Sequence, residues 1–225
     1  QTFRPTNNMK NLILFLTFLT MTLTSSKIYG QEFEYAEKTI TGIYQADGKS
    51  KSEIFSAINK WIALNYNSAK NVVQLNDKES GTIIVKGINK AVYKNVMKEM
   101  YPKNKFMQEY NTVEFNHTIE INVKDNRYRI IYHLTDIITP APVAGYNLEQ
   151  QYSIVFDMID FTGLKQEKID AYNQYVDELW KKAMVGKKKR EKFKEMTKPT
   201  FEELNKGVKE SVKATMNSVG TTVKS

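Results

Sequence analysis

The chain has no cysteine and only two histidines among 225 residues. The first absence excludes disulfides, thiolate nucleophiles, zinc–thiolate sites and iron–sulfur clusters. It also removes any cysteine that could carry an N-terminal lipid. The second leaves His117 and His133 as the whole imidazole supply. Long apolar runs are missing too. The longest, LILFLTFLTMTL over residues 12–23, is twelve residues, against roughly 20 for a helix that spans a bilayer. No HExxH, GxSxG, GxGxxG or P-loop pattern occurs, so the common signatures of zinc peptidases, serine hydrolases, dinucleotide enzymes and nucleotidases are absent.

What is there begins with a leader. Met9, Lys10 and Asn11 precede the apolar run, and a polar small-residue stretch follows it to Gly30. A short basic start, a short apolar centre and a small-residue end are the layout of a secretory signal peptide. We read residues 9–30 as that peptide, with cleavage after Gly30 or Ser26, and the eight residues before Met9 as upstream sequence. The expected address is therefore periplasmic or extracellular. The net charge of +8 is unevenly placed: residues 1–30 carry +3, 31–163 carry −1 and 164–225 carry +6. A neutral central region argues against a nucleic-acid footprint there.

Local patterns predict an α+β chain. Ile54, Phe55, Ile58, Trp61, Ile62 and Tyr66 share one face of a 3.6-residue helix, with a capping box at Ser50 and Glu53. A hairpin follows through the turn-rich residues 76–81 to the β-branched run 82–85. Residues 38–44 predict an earlier strand. Val92, Tyr93, Val96, Met97 and Met100 have helical spacing, so a helix is expected over 89–100. The clearest signal is residues 113–137, where apolar and polar residues alternate on both sides of Asp125-Asn126. A two-residue turn there sets Val123 against Tyr128, Ile121 against Ile130 and Ile119 against Tyr132 on one face. On the other face Glu120 is expected diagonally near Arg129. A short element is expected within 152–159. A helix from Leu164 to about Ala183 should pack on the sheet. Gly186 is read as a boundary, and Pro199 as the start of a last helix with Thr200 and Glu203 as its capping box. Its stripe, Phe201, Leu204, Val208, Val212, Met216 and Val219, should pack back on the core. This divides the chain into a signal peptide (9–30), a folded domain (38–185) and a basic helical tail (186–225).

Two passages carry a family resemblance: KWIALNYNSAKNVVQLNDKESGTIIVKG (60–87) and VKDNRYRIIYHLTDI (123–137). With the leader, they resemble a secreted bacterial family of unknown function assigned a TATA-binding-protein-like (TBP-like) fold. The resemblance covers residues 38–138, with the 164–185 helix in the same unit. It implies a curved antiparallel sheet with helices packed on one face. It brings no catalytic residues, and a fold name alone does not imply DNA binding.

Candidate chemistry is sparse. His117, on the apolar face, is expected to be a hydrogen-bonded core residue and His133 a surface one, so they cannot share a metal. Asp157 and Asp160 sit among apolar residues, where a carboxyl can acquire a raised pKa and serve as a general acid. The plainer reading makes them caps or loop ligands. Lys187, Lys188, Lys189 and Arg190 could meet anionic lipid headgroups; a solvated linker is the plainer reading. We expect a non-enzymatic binding or scaffolding module of the cell envelope, without cofactor or metal. Its partner is expected to be an envelope protein or a small ligand, met through the open sheet face at Glu120, Asn122, Arg129, Ile131 and His133. The alternatives are an envelope hydrolase using the two carboxylates and a peripheral membrane-surface protein.

Overall fold

The computed structural model describes residues 32–141 and 148–225; the signal-peptide segment lies outside them. Six strands form one antiparallel sheet: β1 (Phe33–Ala36), β2 (Thr39–Gln45), β3 (Val73–Asp77), β4 (Thr82–Lys94), β5 (Tyr110–Lys124) and β6 (Arg127–Ile137). Their order across the sheet is β1-β2-β6-β5-β4-β3. The helices are α1 (Lys51–Asn65), α2 (Ala69–Val72), α3 (Val96–Met100), α4 (Glu149–Asp157), α5 (Gln166–Lys182) and α6 (Lys187–Lys224).

The β5–β6 hairpin has the register its alternation demands. Val123 faces Tyr128, Ile121 faces Ile130, and Ile119 faces Tyr132. Asn126 adopts φ 63° in the turn, a region that asparagine tolerates better than most residues. Helix α1 starts at Ser50 with both bonds of the capping box formed. Its five buried residues are the expected Ile54, Phe55, Ile58, Trp61 and Ile62. The β3–β4 turn closes at Gly81, at φ +79°, where a Cβ would stand 2.6 Å from the Val123 carbonyl oxygen. Only glycine takes that conformation in that space at little cost.

Three expectations are corrected. Residues 82–94 are one strand, so no helix spans 89–100; only the short α3 forms. The apparent helical spacing joined residues from two elements, Val92 and Tyr93 on opposite faces of β4 and Val96 and Met97 on α3. Helix α5 packs against α6 rather than on the sheet. The last helix begins at Lys187, not after Pro199, and runs 38 residues through that proline. Proline normally breaks a helix interior by removing one bond and crowding the preceding turn. Here the buried stripe Phe193, Thr197, Phe201 and Leu204 continues across it, while Glu195, whose carbonyl loses its partner, and Pro199 are both exposed. Thr200 bonds back to the Met196 carbonyl at 2.8 Å instead of capping.

The stripe on α6 is the second half of the core. Phe201, Leu204, Val208, Val212, Met216, Val219 and Val223 are buried, and the helix meets β4, α1, α3, α5, β2 and β6. Residues 33–225 therefore form one compact unit, and Gly186 caps a helix rather than bounding a domain. Strand β1 was not foreseen. It pairs with β2 at the sheet edge, and its rings receive cations from α6: Lys213 lies 4.7 Å from the Phe33 centroid and Lys209 lies 4.6 Å from that of Tyr35.

Candidate functional site

With α1 and α6 on one face of the sheet, the other presents its side chains outward. Three rows cross it. Ile43, Arg129, Asn122 and Thr82 form the first. Thr41, Ile131, Glu120, Ile84 and Leu75 form the second. Thr39, His133, Thr118 and Lys86 form the third. Glu120, Asn122, Arg129, Ile131 and His133 thus make one contiguous block on β5 and β6. Ile43 is 48% and Leu75 41% exposed at its margins, and Ile88 and Val92 stand further along β4 at 58% and 55%. Within the block Glu120 accepts the Asn122 amide at 2.7 Å. That bond takes the place of the expected pairing with Arg129. His133 shares a hydrogen bond with the Thr39 hydroxyl at 2.9 Å.

His117 lies on the buried side, as its alternation requires. It is 3% exposed, with its ring stacked on Tyr132 at 4.7 Å and its Nε2 3.3 Å from the Tyr66 hydroxyl. Gly87, opposite it, makes the room: a Cβ there would be 2.8 Å from Nε2 and 2.7 Å from the Tyr66 ring. Burial pushes the imidazole down to about 4. In the unfolded chain it titrates near 6.5. Between those values the unfolded state binds the extra proton, so stability falls as pH drops through this window and is level above it. We expect the protein to lose about 2–3 kcal/mol between pH 7 and pH 4.5 through this group. Urea midpoints at the two pH values, for the native chain and His117→Phe, read the difference; an equal decline in both would refute it.

The carboxylates resolve into structure. Asp160 is 1% exposed and its Oδ1 accepts from the Thr162 amide and hydroxyl at 2.9 and 2.6 Å. Burial is the largest influence and opposes its charge, but the bonds from Thr162 and the nearby Lys168 and Lys165 ammonium groups together outweigh it and hold the carboxyl below the ordinary range. That is the reverse of what a general acid needs. Asn205 of α6 accepts the Asp160 amide at 2.6 Å and donates to the Met158 carbonyl at 2.8 Å, which locks the loop to that helix. Lys38 donates to the carbonyls of Phe156 and Ile159 at the end of α4, and its burial pushes it down to about 8. Asp157 is exposed.

The basic run divides in the same way. Lys187, Lys188 and Lys189 are exposed, and Lys189 lies 4.9 Å from the Tyr101 ring centroid. Arg190 is not available to a membrane: its Nε donates to Asp177 at 2.9 Å. Lys181 and Lys194 reach the same carboxylate at 2.7 and 3.4 Å. Bonds from Lys181 and then Arg190 hold Asp177 down to about 2, so this cluster clamps α5 to α6. Among the described residues no three His, Asp or Glu side chains are grouped to hold a metal, and no helix is long and apolar enough to cross a membrane.

Comparison with known proteins bears on the fold. Residues 40–137 match the family model described as "Domain of unknown function (DUF4468) with TBP-like fold", which agrees with the resemblance read from the sequence. A DUF4468 family protein from Bacteroides ovatus ATCC 8483 is similar at 17% identity and a TM-score of 0.34, over 43% of this chain and 53% of that one. A TBP-like protein from Parabacteroides distasonis ATCC 8503 is similar at 22% identity and a TM-score of 0.35, over 48% and 62%. The chain thus spans less than two thirds of either relative. No curated protein matches.

Proposed function

From a chain whose residues 40–137 match a TBP-like family without an assigned function, we propose an exported, non-enzymatic binding module. It engages a protein of the cell envelope through the open face of its sheet. The three-row block around Ile131 carries this reading. The block mixes Ile43, Ile84, Ile131 and Leu75 with Thr, Asn, Arg and Glu on a broad surface. Such a mixed surface suits a protein partner, whereas small ligands favour enclosed, largely apolar cavities. The leader read over residues 9–30 supports the exported address. The hydrolase alternative loses support because the Asp160 carboxyl is lowered and bonded to Thr162.

The test is capture from the native envelope on residues 31–225 as bait, with Ile131→Glu and Arg129→Glu as variants. Both positions lie outside the core, so thermal melts should stay within a few degrees of the native chain. A specific partner should be retained by the native bait and reduced at least tenfold by each variant. Equal capture by all three baits would exclude the open face. A partner lost only when Lys187, Lys188 and Lys189 are changed to glutamine would favour the basic turn of α6 instead.

A further inference from the structure

The β4–β5 ribbon outruns its neighbours. Strand β6 last pairs with β5 at Phe115, while β4 and β5 continue together to Lys94 and Tyr110. Helices α4, α5 and the first half of α6 gather beside this projecting end. They leave a cavity of about 280 Å³ among them. Ligand pockets begin near 300 Å³, and a water molecule occupies roughly 30 Å³ of liquid. The space therefore exceeds an ordinary packing void and is close to that of a small organic molecule.

Its lining is selective. Of the described residues that face it none is Asp, Glu, Lys or Arg, although a quarter of the chain is charged. A charged ligand would be stripped of water there with no counter-charge in return. Aromatic rings supply much of the wall. Trp180 and Phe193 stand 4.8 Å apart between centroids, tilted by 52°, and Tyr172 meets Phe201 edge-on at 5.0 Å. The polar atoms are neutral. The Tyr93 hydroxyl and the Asn111 amide are among its lining groups, and the Thr200 hydroxyl, which donates to the Met196 carbonyl, keeps its acceptor lone pairs. Thr197 is committed elsewhere, to Asn173 at 2.7 Å.

We propose that this cavity is a binding site for an uncharged, planar aromatic molecule smaller than a typical drug. The ring would lie against Trp180 and Phe193, with one hydrogen-bonding group directed toward Tyr93, Asn111 or Thr200. The site is separate from the open sheet face and stands or falls independently of it.

The probe is N-phenyl-1-naphthylamine, a neutral fluorescent aromatic amine, titrated into residues 31–225. Saturable one-to-one binding is expected, with Trp180 emission quenched by transfer to the probe. Val176→Phe and Thr200→Phe narrow the cavity from α5 and from α6, and each should weaken binding at least tenfold. Two positions are used so that one folded variant, checked by its thermal melt, is always available. Trp180→Phe should reduce the transfer signal to the part contributed by Trp61, the other tryptophan of the chain, while probe enhancement remains. Ile131→Glu, on the open face, should leave affinity unchanged. Absence of saturable binding, or undiminished binding in a folded cavity-filling variant, would overturn the site. Equal affinity for the anionic analogue 1-anilinonaphthalene-8-sulfonate would overturn its selectivity for neutral ligands.

Discussion

A chain ending at residue 186 should not fold. Without α6 the core loses Phe201, Leu204, Val208, Val212, Met216, Val219 and Val223, each no more than 4% exposed. Burying one such side chain contributes roughly 1.5–3 kcal/mol, so together they amount to about 10–20 kcal/mol. A whole domain is stable by only about 5–15 kcal/mol. The truncated chain also exposes the sheet face that α6 covers and frees the loop that Asn205 holds. We expect no cooperative melting transition and a collapsed amide proton spectrum for residues 31–186, beside a single transition for residues 31–225. A dispersed spectrum from the shorter chain would show that α6 is an accessory after all.

Trp61→Ala should be the most damaging single change among those that leave the chain its length. The indole is 2% exposed, its Nε1 donates to the Ser218 hydroxyl at 2.9 Å, and its ring meets Tyr66 edge-on at 5.7 Å. Large aromatic-to-alanine changes in cores cost about 3–5 kcal/mol. With a urea dependence of about 2 kcal/mol per molar, the midpoint should fall by roughly 1.5–2.5 M. Trp61→Phe keeps most of the ring but drops the donor, and should cost about 1 kcal/mol for the hydrogen bond plus the lost volume. A midpoint shift under about 0.5 M for the alanine variant would mean that the α1–α6 contact is not where the stability lies.

Trp61, Ile58 and the β5–β6 alternation were legible because each pattern lies within one element, where period and burial coincide. So was the stripe from Phe201 to Val219, although its helix was cut short at Pro199. That error came from reading proline locally. Twelve residues of helix precede it because Phe193 and Thr197 extend the same buried face. The helix expected at 89–100 failed for a related reason. Val92 points out of the sheet and Tyr93 into it, and their spacing to Val96 and Met97 crosses an element boundary. The open-face block followed from the hairpin register alone. The cavity beside Trp180 did not, because Tyr93, Tyr172, Trp180 and Phe193 come from three elements that only the tertiary fold brings together. Asp160 was legible as a buried carboxylate, but not its bonds to Thr162 or its nearness to Lys168 and Lys165, which together decide the direction of its shift against burial.

The strand order has a kinetic consequence. β2 pairs with β6 across some ninety positions of chain, Thr39 with His133 among others, and the bond from Trp61 to Ser218 closes a loop of 157. Contacts so distant in sequence slow folding, because loop-closure entropy is lost before the contacts form. The β5–β6 hairpin, joined by two residues, can form early. The sheet it nucleates must then wait for β2 from one side of the sequence and α6 from the other. During that interval Ile119, Ile121, Ile130 and Tyr132 face solvent, which makes a half-assembled sheet prone to self-association. The rate at which α6 docks therefore sets how long the chain remains vulnerable to aggregation.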